Sequence, residues 1–250
     1  MAKKSKPKTR HLVWLSMLAV GGVLAMVLGW WWQATLMCQR IDLAGHQHAT
    51  SEALLALARV DTDTLLFDID PDLVEDRLRR HPWVAEASVR RLPTGTLALR
   101  VTERVPTMLV MNRRGAPSHY LDAQGAQMPL VPKVAYDVPL LWGLNAPYHP
   151  IQPVAEPSVL AFLQALDRAD PAVEALISEV VFEGELVVHT TPAHGHGAIP
   201  VHLGRADFEG KFKRLHAFWH QAVLPRPDKT FRRIDLRANS QIVTRESVNE

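Results

Sequence analysis

The sequence has little cysteine, and its positive charge is concentrated in one short segment. Cys38 is the only cysteine among 250 residues, so no disulfide bond can form within the chain. The formal net charge is +2, and five of the 28 basic residues lie in the first ten positions: Lys3, Lys4, Lys6, Lys8 and Arg10. The other 23 basic residues are outnumbered by 26 acidic ones. Because nucleic-acid binding requires positive charge clustered on the folded part, we expect no nucleic-acid partner.

The sequence also lacks the residue patterns that carry catalysis. It contains no Gly-x-Ser-x-Gly elbow, no His-Glu-x-x-His helix motif and no phosphate-binding glycine loop. A Ser-x-x-Lys pattern occurs at residues 5–8, but it lies in the charged N-terminal tail and is a coincidence. We therefore expect that the protein is not an enzyme and that it has no cofactor and no small-molecule substrate.

A cluster of histidines is the one feature that suggests metal binding. Four of the 12 histidines surround a loop rich in proline and glycine: His189, His194, His196 and His202. Zinc sites in proteins use such side chains, but this loop contains no cysteine or acidic ligand. We therefore expect no metal site, although the sequence alone leaves metal binding by this loop open.

A long uncharged run follows the basic tail. No Lys, Arg, Asp or Glu occurs between Arg10 and Arg40, and the run ends in three consecutive tryptophans, residues 30–32. A bilayer core requires about 20 apolar residues, whereas the apolar part of a signal peptide has roughly 7–15. A buried helix of a soluble protein is the alternative, but it would carry a polar stripe. The run predicts a transmembrane helix over residues 12–36.

Charge predicts the orientation of this helix. Five basic residues precede the run and only Arg40 closely follows it, so residues 1–11 form a cytoplasmic tail. The bulk of the chain then lies on the periplasmic side of the cytoplasmic membrane. No second apolar run approaches spanning length, which predicts a single-pass, type II membrane protein.

Residues 40–104 predict a small α+β unit. Ile41 and Leu43 alternate with polar residues as a strand, and helices start near Thr50 or Ser51 and at Asp70-Pro71. The stretch from Leu65 to Ile69 alternates as well, either as a strand or as a loop that docks its apolar side chains. Two further strands, residues 83–89 and 97–101, flank a turn at residues 92–95. The pattern indicates a small mixed sheet with two helices on one side.

Residues 105–250 predict a larger, strand-rich unit with helices. Seven prolines between residues 129 and 157 indicate a long connection with short extended pieces. A hairpin is predicted at residues 180–188, and Asp207 is predicted to cap a helix. The apolar stripe of that helix is Phe208, Phe212, Leu215, Trp219, Ala222 and Val223. Residues 234–236 and 242–243 are predicted as short terminal strands.

Several short motifs, in this order behind the apolar run, resemble the FtsQ/DivIB family of bacterial cell-division proteins over nearly the whole chain. The matching segments are residues 41–45 (IDLAG), 82–90 (PWVAEASVR), 101–106 (VTERVP), 120–125 (YLDAQG), 139–143 (PLLWG), 202–205 (HLGR) and 234–237 (IDLR). The resemblance implies a POTRA domain over residues 40–104 and the β-domain of the family over residues 105–250. Trp83 and the glycines in these motifs are expected to serve packing and turn geometry.

The resemblance also implies a function. It implies a scaffold of the division machinery that concentrates at the division septum and links early and late division proteins. In this interpretation the β-domain binds FtsB, which is paired with FtsL, and the POTRA domain binds other division proteins. A different class of function remains open, a POTRA-containing module for envelope assembly or transport. That class is less favoured because the chain has no internal repeat and no barrel-length series of strands.

Carried over by position, the partner-binding residues lie near the C-terminus and act by adding a strand of the partner to the sheet. They are Arg237, Ala238, Ser240, Ile242 and Val243. Arg237 is expected to offer its planar guanidinium to a partner carboxylate, and Ile242 and Val243 are expected to line the added strand. The family places an aromatic residue directly after the Asp-Leu-Arg triplet, whereas this chain has Ala238. The aromatic anchor of the interface is therefore missing.

Overall fold

The computed structural model describes residues 8–192, 197–226, 229–238 and 241–247. The chain has an α+β fold, as predicted, and divides into two compact units. The first unit runs up to His46 and includes Thr50–Leu78 and Glu86–Thr102. The second unit contains Gln47–Ala49, Arg79–Ala85 and the chain from Glu103 onward.

The predicted apolar helix is present as α1, Lys8–Thr35. Its segment Trp14–Thr35 has a mean hydropathy of 1.7, and none of its apolar window is buried. Among the described residues it is the one helix long and apolar enough to cross a membrane. An apolar helix whose described side chains stay exposed is compatible with a membrane anchor.

The first unit also contains a three-stranded sheet and two helices. The strand order is β1-β3-β2, and β1 runs parallel to β3. Its elements are β1 (Arg40–Ala44), α2 (Ser51–Ala58), α3 (Pro71–Leu78), β2 (Val84–Leu92) and β3 (Thr96–Glu103). The sheet is mixed and accompanied by two helices, as the sequence predicted.

Local chemistry determines where these elements begin and end. The hydroxyl of Thr50 accepts a hydrogen bond from the Ala53 amide, so Thr50 is the cap of α2. Gly45 follows β1 with a φ of 91°, and a Cβ there would overlap the carbonyl oxygen of Val101. Only glycine fits where β1 meets its neighbour so closely.

The stretch between α2 and α3 is a loop. Of the two alternatives that its alternating pattern allowed, a strand or a docked loop, the structure has the loop. Leu65 makes a single bridge to Met37, and no strand forms there. Leu66 and Ile69 are buried, whereas Phe67 is 38% exposed. The loop therefore docks its apolar side chains without the period of two that a strand would impose.

The second unit is built on a nine-stranded sheet within the described part of the chain, in the order β12-β11-β10-β9-β8-β7-β4-β5-β6. The first six of its strands are β4 (Met108–Met111), β5 (Pro117–Leu121), β6 (Gln127–Pro129), β7 (Leu140–Trp142), β8 (Ile177–Phe182) and β9 (Leu186–Thr190). The last three are β10 (Pro200–Gly204), β11 (Thr230–Asp235) and β12 (Val243–Ser247). The helices are α4 (Pro157–Asp167), α5 (Pro171–Glu174) and α6 (Phe208–Phe218), and a π-helical turn extends α6 over Trp219–Val223.

The helices and one face of this sheet form the main hydrophobic core. The ring of Phe162 on α4 packs edge-to-face against Phe208 and Phe212 of α6, with centroids 5.5 Å apart in both pairs. The predicted stripe of α6 is buried at every position except the half-buried Ala222. Asp207 is the N-cap residue of α6, as predicted, but at a φ of 56° its side chain makes no capping hydrogen bond.

The register of the strands sorts their side chains onto two faces. One aligned row is fully buried: Leu141, Val180, Val188, Val201 and Ile234. Because side chains alternate along a strand, the neighbouring positions project from the opposite face, here called the outer face. Its side chains are half-buried or exposed, and they include His202, Asp235 and Val243 in one row.

Candidate functional site

The terminal strand β12 lies at one end of the nine-stranded sheet. It pairs antiparallel with β11, and its other edge has no strand beside it among the described residues. Such an edge presents unpaired backbone N–H and C=O groups to the surroundings. It is therefore a place where another chain can add a strand.

The chain reaches this edge by a crossover. Strand β10 leads into α6, and β11 then returns parallel to β10, with Val201 opposite Ile234. Because β9 already occupies the other edge of β10, the next strand can pair only on the outer side of β11. The last strand therefore occupies the end of the sheet.

Four of the five predicted partner-binding residues lie in the described part of the chain. Arg237 and Ala238 follow β11 and are exposed, Ile242 directly precedes β12, and Val243 is its first residue. Ser240 lies outside the described residues. The four described residues therefore lie on either side of the connection between β11 and β12. The resemblance to the FtsQ/DivIB family implied that this segment binds the partner.

Arg237 is engaged within its own chain. Its Nη2 lies 2.6 Å from Oδ2 of Asp235 and its Nε lies 3.0 Å from Oδ1, while Nη1 lies 3.3 Å from Oε1 of Glu185. Hydrogen bonds from Arg237 hold the pKa of the Asp235 carboxyl well below its usual range. The guanidinium that was predicted to face a partner carboxylate is bound in this structure to Asp235, where it orders the end of β11.

Ala238 is held through its backbone. Nη1 of Arg214 on α6 donates a hydrogen bond of 2.8 Å to the carbonyl oxygen of Ala238. Sequence reasoning did not identify Arg214 or Glu185 as neighbours of this segment. Glu185 is 52 positions from Arg237, and no local pattern indicates such a pairing.

Ile242 and Val243 have different surroundings, although the sequence expected both to line an added strand. Ile242 is partly buried and packs against the main core. Val243 is 56% exposed and lies opposite Asp235 on the outer face. Of the two, Val243 is therefore the side chain available to a neighbouring strand.

The histidine cluster is only partly within the described residues. His189 and His202 lie on the neighbouring strands β9 and β10, and Nδ1 of His202 is 3.7 Å from Oε1 of Glu185. His194 and His196 lie outside the described residues. Among the described residues, no group of three or more His, Cys, Asp or Glu side chains could hold a metal ion. The expectation that this loop holds no metal therefore stays a prediction.

A second polar cluster in the second unit centres on Glu103. Oε2 of Glu103 is 2.6 Å from Nδ1 of His48, and Nε2 of His48 is 2.5 Å from Oη of Tyr136. The ring of His48 stacks on Trp83 with centroids 4.6 Å apart. Trp83 is only 2% exposed, as expected for a packing residue. The cluster orders residues 47–49, because Glu103 also accepts hydrogen bonds from the amides of all three.

The neighbouring Arg104 forms an ion pair with a buried carboxylate. Its Nη1 lies 2.6 Å from Oδ2 of Asp122, whose side chain is only 4% exposed. Asp122 also accepts hydrogen bonds from the amides of Gln124 and Ala126, so this carboxylate holds a turn as well as an arginine.

Comparison with known proteins defines the class of this chain. Residues 38–104 match the model of the POTRA domain, FtsQ-type, and residues 105–245 match that of FtsQ/DivIB, C-terminal related. The chain is thus an FtsQ-type POTRA protein with the C-terminal domain that accompanies it.

Full-length relatives agree with the domain matches. The chain is 46% identical to the cell division protein FtsQ of Rhodothermus marinus, over 99% of this chain and 91% of that protein. It is 41% identical to the cell division protein FtsQ of Salinibacter ruber, over 91% of this chain and 90% of that protein. It belongs to the FtsQ/DivIB family of cell-division proteins, which confirms the resemblance drawn from the short motifs.

Proposed function

We propose that this protein is a non-catalytic scaffold of the division machinery that links early and late division proteins. Its partner at the β12 edge is FtsB, paired with FtsL, and its POTRA domain binds other division proteins. The binding mode is strand addition, in which an extended segment of FtsB pairs with β12 through main-chain hydrogen bonds. The proposed contact residues are Arg237, Ala238, Ser240, Ile242 and Val243.

The position of β12 carries this proposal. It is the end strand of the sheet, it has one strand neighbour among the described residues, and its first side chain, Val243, is exposed. Exposed sheet edges are usually blunted or covered in soluble proteins because they invite pairing with other chains. A partner strand would complete the backbone hydrogen bonding of β12 and cover Val243.

The same proposal assigns a place to each part of the chain. Residues 1–11 form the cytoplasmic tail and residues 12–36 span the cytoplasmic membrane. Residues 40–104 form the POTRA domain and residues 105–250 the β-domain, both in the periplasm. The excess of basic residues before α1 supports this orientation, and membership of a cell-division family supports a concentration of the protein at the septum.

Val243→Asp tests the edge directly. The substitution places a charge where an added strand would desolvate it, so we expect capture of FtsB–FtsL by the full-length protein in detergent to fall at least about tenfold. Val105→Asp is the matched control, because Val105 is 76% exposed and lies in the segment between β3 and β4. Both side chains are largely exposed, but Val243→Asp also brings a second carboxylate opposite Asp235, which weakens the pairing of β11 and β12. Val243→Lys avoids this repulsion, so it should lose capture to a similar extent while its melting temperature stays close to that of the unchanged protein.

Equal capture of FtsB–FtsL by the Val243→Asp variant and the control would remove β12 from the binding surface.

The location of the protein in the cell distinguishes a division scaffold from a transport module. A functional fluorescent fusion that concentrates at mid-cell supports the scaffold, whereas a uniform envelope signal contradicts it.

A further inference from the structure

Two arginines lie directly opposite each other on the outer face at the β12 edge. In the register of the sheet, Arg233 of β11 pairs with Arg245 of β12, just as Asp235 pairs with Val243. Like charges at directly opposed positions of an antiparallel pair destabilise the pairing. The arrangement therefore needs compensation from neighbouring charge.

Within the described ranges, that compensation reaches Arg233 but not Arg245. Nη2 of Arg233 lies 3.0 Å from Oδ2 of Asp235, and the same carboxylate also binds Arg237. Arg245 is exposed and has no ion-pair partner among the described residues. Asp235 thus already serves two guanidinium groups, and no acidic side chain in the described part of the chain compensates the positive charge of Arg245.

The acidic residue next to Arg245 belongs to the other face. Glu246 lies opposite the buried Phe231, and its Oε2 is 2.8 Å from Nζ of Lys229. It therefore cannot serve Arg245, because consecutive side chains of a strand point to opposite faces. The next position available on the outer face beside Arg245 is on the strand that would be added.

We propose that the segment added to β12 carries a carboxylate directly opposite Arg245 and an apolar residue two positions away, opposite Val243. The inference rests on the proposed strand addition and specifies the chemistry of the partner. Val243 and Arg245 share one face, so the two partner residues that oppose them are two apart whichever way the partner strand runs. Directly opposed Cβ atoms lie about 4.5–5.5 Å apart, within reach of a charge-assisted pair.

The proposed charge pairing also excludes some partner sequences and registers. A lysine or arginine opposite Arg245 would extend the like-charge contact between Arg233 and Arg245 into a third strand. A register slipped by one residue would put the acid on the face of Thr244 and Glu246. Arg245 therefore selects both the partner sequence and its register.

The test uses the full-length protein in detergent with FtsB–FtsL as the probe. We expect Arg245→Gln to weaken the dissociation constant roughly 2- to 5-fold and Arg245→Glu roughly tenfold or more. Arg114→Glu is the matched control, because Arg114 is exposed in the turn between β4 and β5, far from β12 in the strand order. Raising the salt concentration should weaken binding of the unchanged protein more than that of Arg245→Gln. A photo-crosslinker at position 243 maps the opposing residue of FtsB.

A second substitution tests the pairing itself. Lysine in place of the FtsB acid located two positions from the crosslinked residue should restore binding to Arg245→Glu. Crosslinking at position 243 with equal affinities for Arg245→Glu and Arg114→Glu would overturn the charge rule and leave strand addition in place. Absence of both capture and crosslinking would overturn strand addition, and the charge rule with it.

Discussion

Glu103 offers the sharpest test of how a single side chain orders this protein. Its carboxylate accepts hydrogen bonds from the amides of Gln47, His48 and Ala49, at 2.9 Å each to Oε1. Glu103→Ala leaves these donors without their acceptor. Hydrogen bonds to charged groups contribute about 1.5–3 kcal/mol each, but the three amides share one carboxylate, so we expect a loss of about 2–3 kcal/mol.

Hydrogen exchange of the segment 47–49 measures this loss locally. A decrease of about 2–3 kcal/mol in the free energy of local opening corresponds to exchange that is roughly 30- to 150-fold faster. Glu209→Ala is the matched control, because the Glu209 side chain is 56% exposed and makes its ion pair with Arg168. Unchanged exchange at residues 47–49 in Glu103→Ala would refute the assignment of Glu103 as their acceptor.

The same carboxylate predicts a pH dependence. Burial works to raise the pKa of Glu103, but hydrogen bonds from the amides of Ala49 and Gln47 and from His48 outweigh it, so the pKa lies below its ordinary value of 4.5. A carboxyl group whose pKa falls on folding stabilises the fold above its unfolded pKa, and that contribution is lost as the pH falls through the folded pKa. Protection of residues 47–49, corrected for intrinsic exchange rates, should be constant above about pH 5 and fall below about pH 4. Glu103→Gln should remove this fall.

Two further substitutions test the packing of the two units. The free energy of unfolding is measured in urea on the full-length protein. Gly45→Ala should destabilise the first unit by at least about 2 kcal/mol, because its Cβ would overlap the carbonyl oxygen of Val101. Gly115→Ala is the control, because Gly115 also has a positive φ, 78°, but no atom lies within 4 Å of the added Cβ. It should lower the free energy of unfolding by only about 1 kcal/mol. Equal losses in the two variants would contradict the overlap at Gly45. Phe162→Ala should cost about 3–5 kcal/mol, because the ring is fully buried. The same change at Phe67, which is 38% exposed, should cost much less, and a loss below about 1 kcal/mol at Phe162 would contradict its place in the core.

Local patterns predicted most of the elements because each records a local preference. The stripe from Phe208 to Val223 keeps the period of a helix, and the structure buries it against the sheet. Ile41 and Leu43 alternate as strand residues do, and they lie in β1. The stretch from Leu65 to Ile69 imitates this alternation but forms a loop, because docking of apolar side chains does not require a strand pairing.

The candidate site was harder to predict because its environment is built from distant parts of the chain. The sequence placed a strand near Ile242 and Val243, but it could not show that Ile242 packs on the core while Val243 is exposed. That difference depends on where β12 begins and on its register with β11. The contact of Arg237 with Glu185 bridges 52 positions, and only the strand order brings the two together.

The contacts around β12 bear on how tightly an added strand can bind. An edge strand that became ordered only on binding would lose conformational entropy at that moment and so weaken the complex. Here, Arg214 holds the carbonyl of Ala238, Ile242 packs on the core, and Lys229 pairs with Glu246. Each contact positions β12 before any partner arrives. In the proposed interface, Ala238 stands where the resemblance to the family implied an aromatic anchor, so we expect preorganisation of the edge and the charge at Arg245 to replace that anchor.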